Sequence, residues 1–257
     1  MFTLYTHTAG AGPDVVLVHG WGMHSGVWED VAESLVDHYR VTVLDLPGHG
    51  YSRGGSEVGH TLDDWAKAVI AATPARAAWV GWSLGGLIAQ QVALTDPARV
   101  RQLALVNSTP CFIQRPDWPQ GIARSVLQRF AEELREDYRV VLKRFIALEV
   151  HGSDKASAQL RQLKAMLFQH GEPEVAALED GLAILETSDL RASLAKIACP
   201  TLLLMGQRDQ LVPAKTGEAM LQQLPDARLR VFPRAGHAPF FAHLPEFITE
   251  LRAFLDA

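Results

Sequence analysis

The sequence predicts an α/β fold, a doubly wound and mostly parallel sheet carrying a helical insertion, and three observations lead there. Short apolar runs alternate with helical patterns toward both ends of the chain. The stretch Gly81-Trp82-Ser83-Leu84-Gly85 puts one hydroxyl at a glycine-flanked junction between such a run and such a pattern. Between about residues 112 and 186 the strand signal stops and the pattern is helical throughout. Nearly continuous apolar strands belong in a parallel sheet covered on both faces, and their alternation with helices marks βαβ units.

In chain order, Phe2-Thr3-Leu4-Tyr5-Thr6 alternates as an antiparallel edge strand would. Parallel strands are expected at 15–18, 41–44, 79–80, 103–106, 201–205 and 229–232, with helices at about 27–38, 62–73, 84–95, 213–224 and 246–256. Within the insertion, Val126, Phe130 and Leu134, then Val141, Leu142, Phe145 and Leu148, recur at helical spacing. Breaks fall at Arg115-Pro116-Asp117-Trp118-Pro119, His151-Gly152-Ser153-Asp154 and Gly171-Glu172-Pro173. The expected organisation is a core of residues 1–111 and 187–257 with a cap at 112–186.

Composition narrows the function classes. A chain of 257 residues with 48% hydrophobic and 21% charged residues can bury a large core. Its formal net charge of -5 argues against nucleic acid as a general partner. The first residues lack a basic stretch followed by an apolar run, and no run of about 18 apolar residues occurs, so no membrane association and a cytoplasmic, monomeric protein are expected. Cys111 and Cys199 lack metal-ligand spacing and read as packing residues; no metal or other cofactor is expected.

The serine needs company to be reactive. A hydroxyl is a weak nucleophile at neutral pH, so it requires a histidine base and a carboxylate that fixes the histidine tautomer. After a G-x-S-x-G turn these follow in the order serine, acid, histidine. Asp209 follows the 201–205 strand and His237 follows the 229–232 strand, both at carboxyl ends where a doubly wound sheet opens its ligand crevice. His243, six residues on, is the rival base. An oxyanion needs donors, and His19-Gly20-Trp21-Gly22 after an early strand offers the Trp21 N–H beside the Leu84 N–H that follows Ser83. Asp45, in Asp45-Leu46-Pro47-Gly48-His49-Gly50-Tyr51-Ser52, precedes the serine and is assigned a structural role.

Through the stretches at 19–22, 45–52, 81–86 and 235–240 the sequence resembles the α/β-hydrolase superfamily over essentially its whole length. It resembles more closely the pimeloyl-acyl carrier protein methyl ester esterases of biotin synthesis, through Ser108-Thr109-Pro110-Cys111-Phe112, Trp118-Pro119, Arg144-Phe145-Ile146-Ala147-Leu148 and the segment at 182–191. The resemblance implies Ser83 as nucleophile, His237 as base and Asp209 as its orienter. It further implies Trp21 and Leu84 at the oxyanion, an acyl channel along Phe145 to Glu149, and acyl carrier protein as partner. Such relatives carry arginines at the positions of Val140 and Ser157 and a neutral amide at Glu149, so this chain departs from them there.

Residues 138–166 hold six basic groups against two acidic ones, a local balance of +4. Arg139 with Lys143, and Arg161 with Lys164, fall at helical neighbour spacings and with Arg144 form the expected carrier-protein surface. A general short-chain carboxylesterase, a lactone or carbon–carbon bond hydrolase, and a ligand receptor with little turnover stay open at the sequence level, because fold and triad do not name a substrate.

Overall fold

The computed structural model describes residues 3–257. Seven strands, β1 (Thr6–Ala9), β2 (Asp14–Val18), β3 (Arg40–Leu44), β4 (Ala77–Trp82), β5 (Val100–Val106), β6 (Thr201–Gly206) and β7 (Ala227–Phe232), form one sheet in the order β1-β3-β2-β4-β5-β6-β7. Only β1 is antiparallel; it pairs with β3, with Thr6 opposite Leu44. The apolar runs at Val15 to Val18, Ala77 to Trp82 and Leu202 to Met205 are buried, as central strands covered on both faces require. The chain lays β3 on one side of β2 and then returns to lay β4 on the other. The order therefore reverses at β2 and β4, and their carboxyl ends, at His19 and Ser83, flank the crevice that such a reversal opens.

The helices are α1 (Glu29–Glu33), α2 (Leu62–Ala72), α3 (Leu84–Thr95), α4 (Arg124–Glu149), α5 (Ala156–Met166), α6 (Val175–Thr187), α7 (Ala214–Leu221), α8 (Pro239–Ala242) and α9 (Leu244–Leu255). α2 opens with a reciprocal capping box between Thr61 and Asp64. Between β5 and β6 the chain makes no strand of the sheet and contains α4, α5 and α6. α4 is broken at Asp137, whose backbone leaves helical space and whose carboxylate accepts from the N–H groups of Arg139 and Val140, capping the second half. Leu127, Phe130 and Leu134 of the first half and Val141, Leu142, Phe145 and Ile146 of the second face inward.

Several expectations shift. The edge strand begins at Thr6, because Tyr5 is already committed to the turn after β3: its N–H donates to Ser52 Oγ at 2.8 Å and its carbonyl accepts from Asp45 N. Phe2 lies outside the described residues. The helix expected at 27–38 is a 3-10 turn, Ser25–Trp28, followed by the short α1, and the Ser34 hydroxyl donates back to the Asp30 carbonyl at 2.7 Å where it ends. Val126 and Leu148 are exposed although they fit the apolar spacing, since the inward faces of α4 are set by Leu127 and Phe145 instead. Both cysteines are free thiols, Cys111 buried and Cys199 half-buried.

The β4–α3 junction is a close approach of backbone to backbone. A Cβ on Gly81 would stand 2.5 Å from Gly86 Cα, and one on Gly85 would press on the backbone carbonyls of Val18 and His19 in the neighbouring strand. Backbone in a central strand cannot give way, so Gly85→Val is expected to destabilise the fold by about 3 kcal/mol. The melting temperature should fall by roughly 6–12 °C; an unaltered melting temperature would contradict this packing.

Candidate active site

Ser83 sits between β4 and α3 with φ 54 and ψ -118. A non-glycine residue in that region costs of order 1–3 kcal/mol and persists only where its surroundings enforce it. They do so here. The Ser83 N–H donates to Val106 O at 3.0 Å, and its carbonyl accepts from the Ser108 hydroxyl at 2.7 Å and from the N–H groups of Gly86 and Leu87. The strained turn brings the Ser83 side chain beside the loop after β2: a Cβ on Gly20 would lie 3.3 Å from Ser83 Cβ. Leu84 is the first residue of α3, where a backbone N–H has no acceptor within the helix. The Trp21 N–H likewise makes no hydrogen bond among the described residues. Two free donors thus flank the serine loop.

Asp209 and His237 meet across the ends of β6 and β7. Asp209 Oδ2 accepts from His237 Nδ1 at 2.7 Å and from the Asn107 amide, while Oδ1 accepts from the N–H groups of Leu211 and Val212 at 2.7 and 3.1 Å. Four donors hold a buried carboxylate without a buried cation. With Nδ1–H committed to the aspartate, His237 presents Nε2 as a lone-pair nitrogen, and this atom is buried with no partner among the described residues, Ser83 Oγ included. Such relay contacts are commonly long without substrate. Trp82 steadies the histidine: its indole N–H donates to the His237 carbonyl at 2.8 Å and its ring lies 5.7 Å from the imidazole. His243 stacks on Phe232 beside the start of α9, and no hydrogen bond links it to Asp209.

The glycine-rich loop is fixed by neutral imidazoles. His19 donates from Nδ1 to Gly20 O at 2.7 Å and accepts from Leu46 N at Nε2, and burial pulls its pKa down to about 3. Asp45 accepts from Ser25 N and Tyr51 N, the structural work expected of it. His24, Asp45 and His170 have potential ligand atoms within 4.8 Å of one another. Those atoms are already engaged: His24 Nδ1 accepts from Gly26 N, His24 Nε2 reaches Met166 O at 2.7 Å, and the two imidazoles stack at 4.0 Å. This cluster ties the end of α5 to the core.

The roof is α4 and α6. The Trp21 indole donates to Leu178 O at 2.9 Å, and Phe145 meets the Trp21 ring edge-on at 4.7 Å. One turn beyond Phe145, the carbonyl of Glu149 accepts from His237 N at 2.7 Å. Its carboxyl is 1% exposed with neither oxygen bonded to a described group. Burial, reinforced by the charge of Asp209, pushes its pKa well above the ordinary 4.5. The basic residues of this segment divide. Arg139 pairs with Glu172 and Arg144 with Glu133, whereas Lys143 and Arg161 are exposed and form no ion pair among the described residues.

Asn107 escaped the sequence reading. It adopts φ 42 at the end of β5, accepts from Gly206 N at 3.0 Å through Oδ1 and donates to Asp209. Its signal was faint: an asparagine directly after an apolar strand, at the carboxyl end where the crevice lies. Trp82 lies within the glycine-flanked turn, and no local pattern indicates its bond to the histidine loop.

A family model described as the alpha/beta hydrolase fold matches residues 13–244. The chain is 45% identical over 249 residues to a pimeloyl-[acyl-carrier protein] methyl ester esterase of Nitrosomonas europaea, covering 97% of this chain and 98% of the relative. It is 43% identical over 254 residues to a protein of the same name from Xanthomonas campestris, covering 99% of each. Among solved structures, an esterase from Exiguobacterium antarcticum superposes with a TM-score of 0.89 at 25% identity, covering 100% of both chains.

The buried Glu149 carboxyl gives stability a definite pH dependence. A folded-state pKa above the unfolded one means that the native chain keeps a proton the unfolded chain releases, so this contribution is complete below about pH 4.5 and is lost as pH rises toward the folded value. Glu149→Gln, which is neutral at every pH, is expected to melt higher than the parent at pH 8 and to show a flatter dependence of melting temperature on pH between 5 and 8. Parallel curves for the two proteins would mean that Glu149 is ionised in the native state.

Proposed function

The chain belongs to the α/β hydrolase fold family, and from that premise we propose that it is a serine carboxylesterase acting on the methyl ester of a pimeloyl chain borne by acyl carrier protein, in biotin synthesis in the cytoplasm. The observation that carries the chemistry is the Asp209–His237 pair with an unpartnered Nε2, its imidazole against the ring of Trp82, whose neighbour Ser83 is held at positive φ. The near full-length likeness to esterases of that name supports the substrate. No helix among the described residues is long and apolar enough to cross a membrane.

In this reading His237 Nε2 takes the proton of Ser83 as Oγ bonds to the ester carbonyl carbon. The carbonyl oxygen becomes an oxyanion that accepts from the Trp21 and Leu84 N–H groups. Collapse expels the methoxy group, which leaves as methanol with the proton from His237, and an acyl-Ser83 ester remains. Water, deprotonated by the same nitrogen, attacks that ester and frees a carboxylate. Asp209 keeps Nδ1 protonated and stabilises the imidazolium formed in each half. Residues 112–186 act as a cap over this centre, with α4 and α6 lining the acyl channel.

Carrier docking falls to Lys143 and Arg161, because Arg139 and Arg144 are engaged by Glu172 and Glu133. An acidic carrier protein is attracted chiefly through encounter rate and register. A general carboxylesterase remains the second reading, favoured by the structural likeness to the Exiguobacterium enzyme.

Mass spectrometry of carrier protein loaded with the pimeloyl methyl ester tests the proposal. Conversion to the free acid with release of methanol is expected, and an inert carrier-bound ester beside rapid turnover of short free esters would favour the general esterase. Ser83→Ala and His237→Ala should each lower kcat/KM by roughly 10^4-fold, and Asp209→Asn should act through the wrong tautomer, while His243→Ala keeps near-parental activity. A dead His243→Ala beside an active His237→Ala would move the base. Lys143→Glu combined with Arg161→Glu should raise KM for the carrier-bound ester more than for a free ester, and added salt should reproduce part of that loss in the parent by screening. Equal effects on both substrates would remove these residues from docking.

A further inference from the structure

A cavity of about 610 Å³ lies between α1 and the β1–β3 edge of the sheet, and none of its lining residues belongs to the catalytic centre. Its two ends differ in chemistry. Tyr5, His7 and Ala9 line it from alternate positions of one segment, and with His7 opposite Val43 and Ala9 opposite Val41 it runs about 13 Å from Tyr5 to Ala9. The Ala9 end is apolar, completed by Val41 and by Ala32 and Val36 in and just beyond α1. At the Tyr5 end, Tyr51 stacks on His170 with ring centroids 4.4 Å apart, and Tyr5 meets Tyr51 edge-on at 5.0 Å. His170 Nδ1 stands 3.3 Å from Asp45 Oδ2. Its Nε2, 3.4 Å from where a Cβ on the lining residue Gly26 would lie, has no hydrogen-bond partner among the described residues, and in a neutral imidazole that nitrogen accepts.

Charge decides what fits there. Glu29 and Glu33, one helical turn apart on the rim, are exposed and pair with no cation among the described residues, although like charges at that spacing repel. The lining includes no lysine or arginine, and Arg40 of β3 is already paired with Asp14. We propose that this cavity binds a primary alkylammonium ion, with its head among Tyr51, His170 and Glu29 and its hydrocarbon chain along Val41 and Val36. An ammonium group is drawn to an aromatic face by the ring quadrupole, and it donates both to carboxylates and to the free imidazole nitrogen. A carboxylate of the same length would meet Glu29 and Glu33, with the Asp45 carboxylate behind His170 and no cation to oppose them. An alcohol would gain the apolar burial alone. An apolar floor with a few polar groups converging at one end is the form that small-molecule sites take. The site stands independently of the esterase reading.

Calorimetric titration of the full chain with n-hexylammonium chloride, 1-hexanol and sodium hexanoate tests the site. Hexylammonium should bind about tenfold more tightly than hexanol, the combined size of a cation–π contact and exposed charge pairs, and hexanoate should not bind. Glu29→Gln combined with Glu33→Gln changes exposed positions only and should remove most of that advantage while the affinity for hexanol holds. His170→Phe, which keeps a ring in the stack and loses the acceptor, should weaken hexylammonium and leave hexanol unchanged; the exposed glutamate pair decides the matter even if this variant does not fold. Protein whose Ser83 carries a phosphonate should bind hexylammonium as the parent does. Equal affinity for the three probes, no binding of hexylammonium, or an advantage that survives in the glutamine double variant overturns the proposal. Binding lost when Ser83 is blocked overturns it too, since the ligand would then lie in the catalytic crevice. None of these results bears on whether a carrier-bound ester is hydrolysed.

Discussion

The rest of the site depends on one backbone constraint, the close packing of β4 against α3 through residues that lack a Cβ. Because Gly81 and Gly85 let strand and helix meet at van der Waals distance, the chain has to reverse within a single residue, and that residue is Ser83 in a region of φ and ψ that side chains avoid. Parallel neighbours enforce it: Val106 of β5 accepts from its N–H, and Ser108 beyond β5 donates to its carbonyl. The strain raises the hydroxyl out of the sheet at the point where strand order reverses, and it leaves the first N–H of α3 free beside it. A relaxed turn would bury the oxygen or move it off the crevice.

Around that point the charges are placed one at a time. Four donors meet the two oxygens of the buried Asp209 carboxylate, and the imidazole of His237 takes its orientation from its bond to Oδ2. A second negative charge nearby would compete for the same imidazole. Glu149 has no donor and lies within reach of the Asp209 charge, so burial and that charge push its pKa well above the ordinary carboxyl value. The second half of α4 thus brings Phe145 against the Trp21 ring and the main chain of Glu149 against His237.

Much of the fold was legible because its strands are central and its helices amphipathic: the apolar runs at Val15 to Val18 and Leu202 to Met205 lie where periodicity puts them. The serine, the acid and the histidine could be found because each follows a strand at its carboxyl end. What escaped is tertiary in origin. The break in α4 depends on Asp137 turning its carboxylate onto the N–H groups of Arg139 and Val140, and α1 ends where the Ser34 hydroxyl donates back to the Asp30 carbonyl. Asn107 and Trp82 act through partners 102 and 155 residues away, and no local pattern announces such pairings. The basic surface reads in sequence as residues of one kind, and only the ion pairs of Arg139 and Arg144 divide them.

The central claim is that the strain at one residue yields one reactive oxygen. Treating the protein with an alkyl phosphonate ester and identifying the modified peptide by mass spectrometry tests it most directly. The account expects a single covalent adduct on Ser83, formed in the parent and suppressed in His237→Ala, because the attacking oxygen needs the free Nε2 to take its proton. Labelling spread over several serines, or undiminished labelling of Ser83 without the histidine, would contradict it.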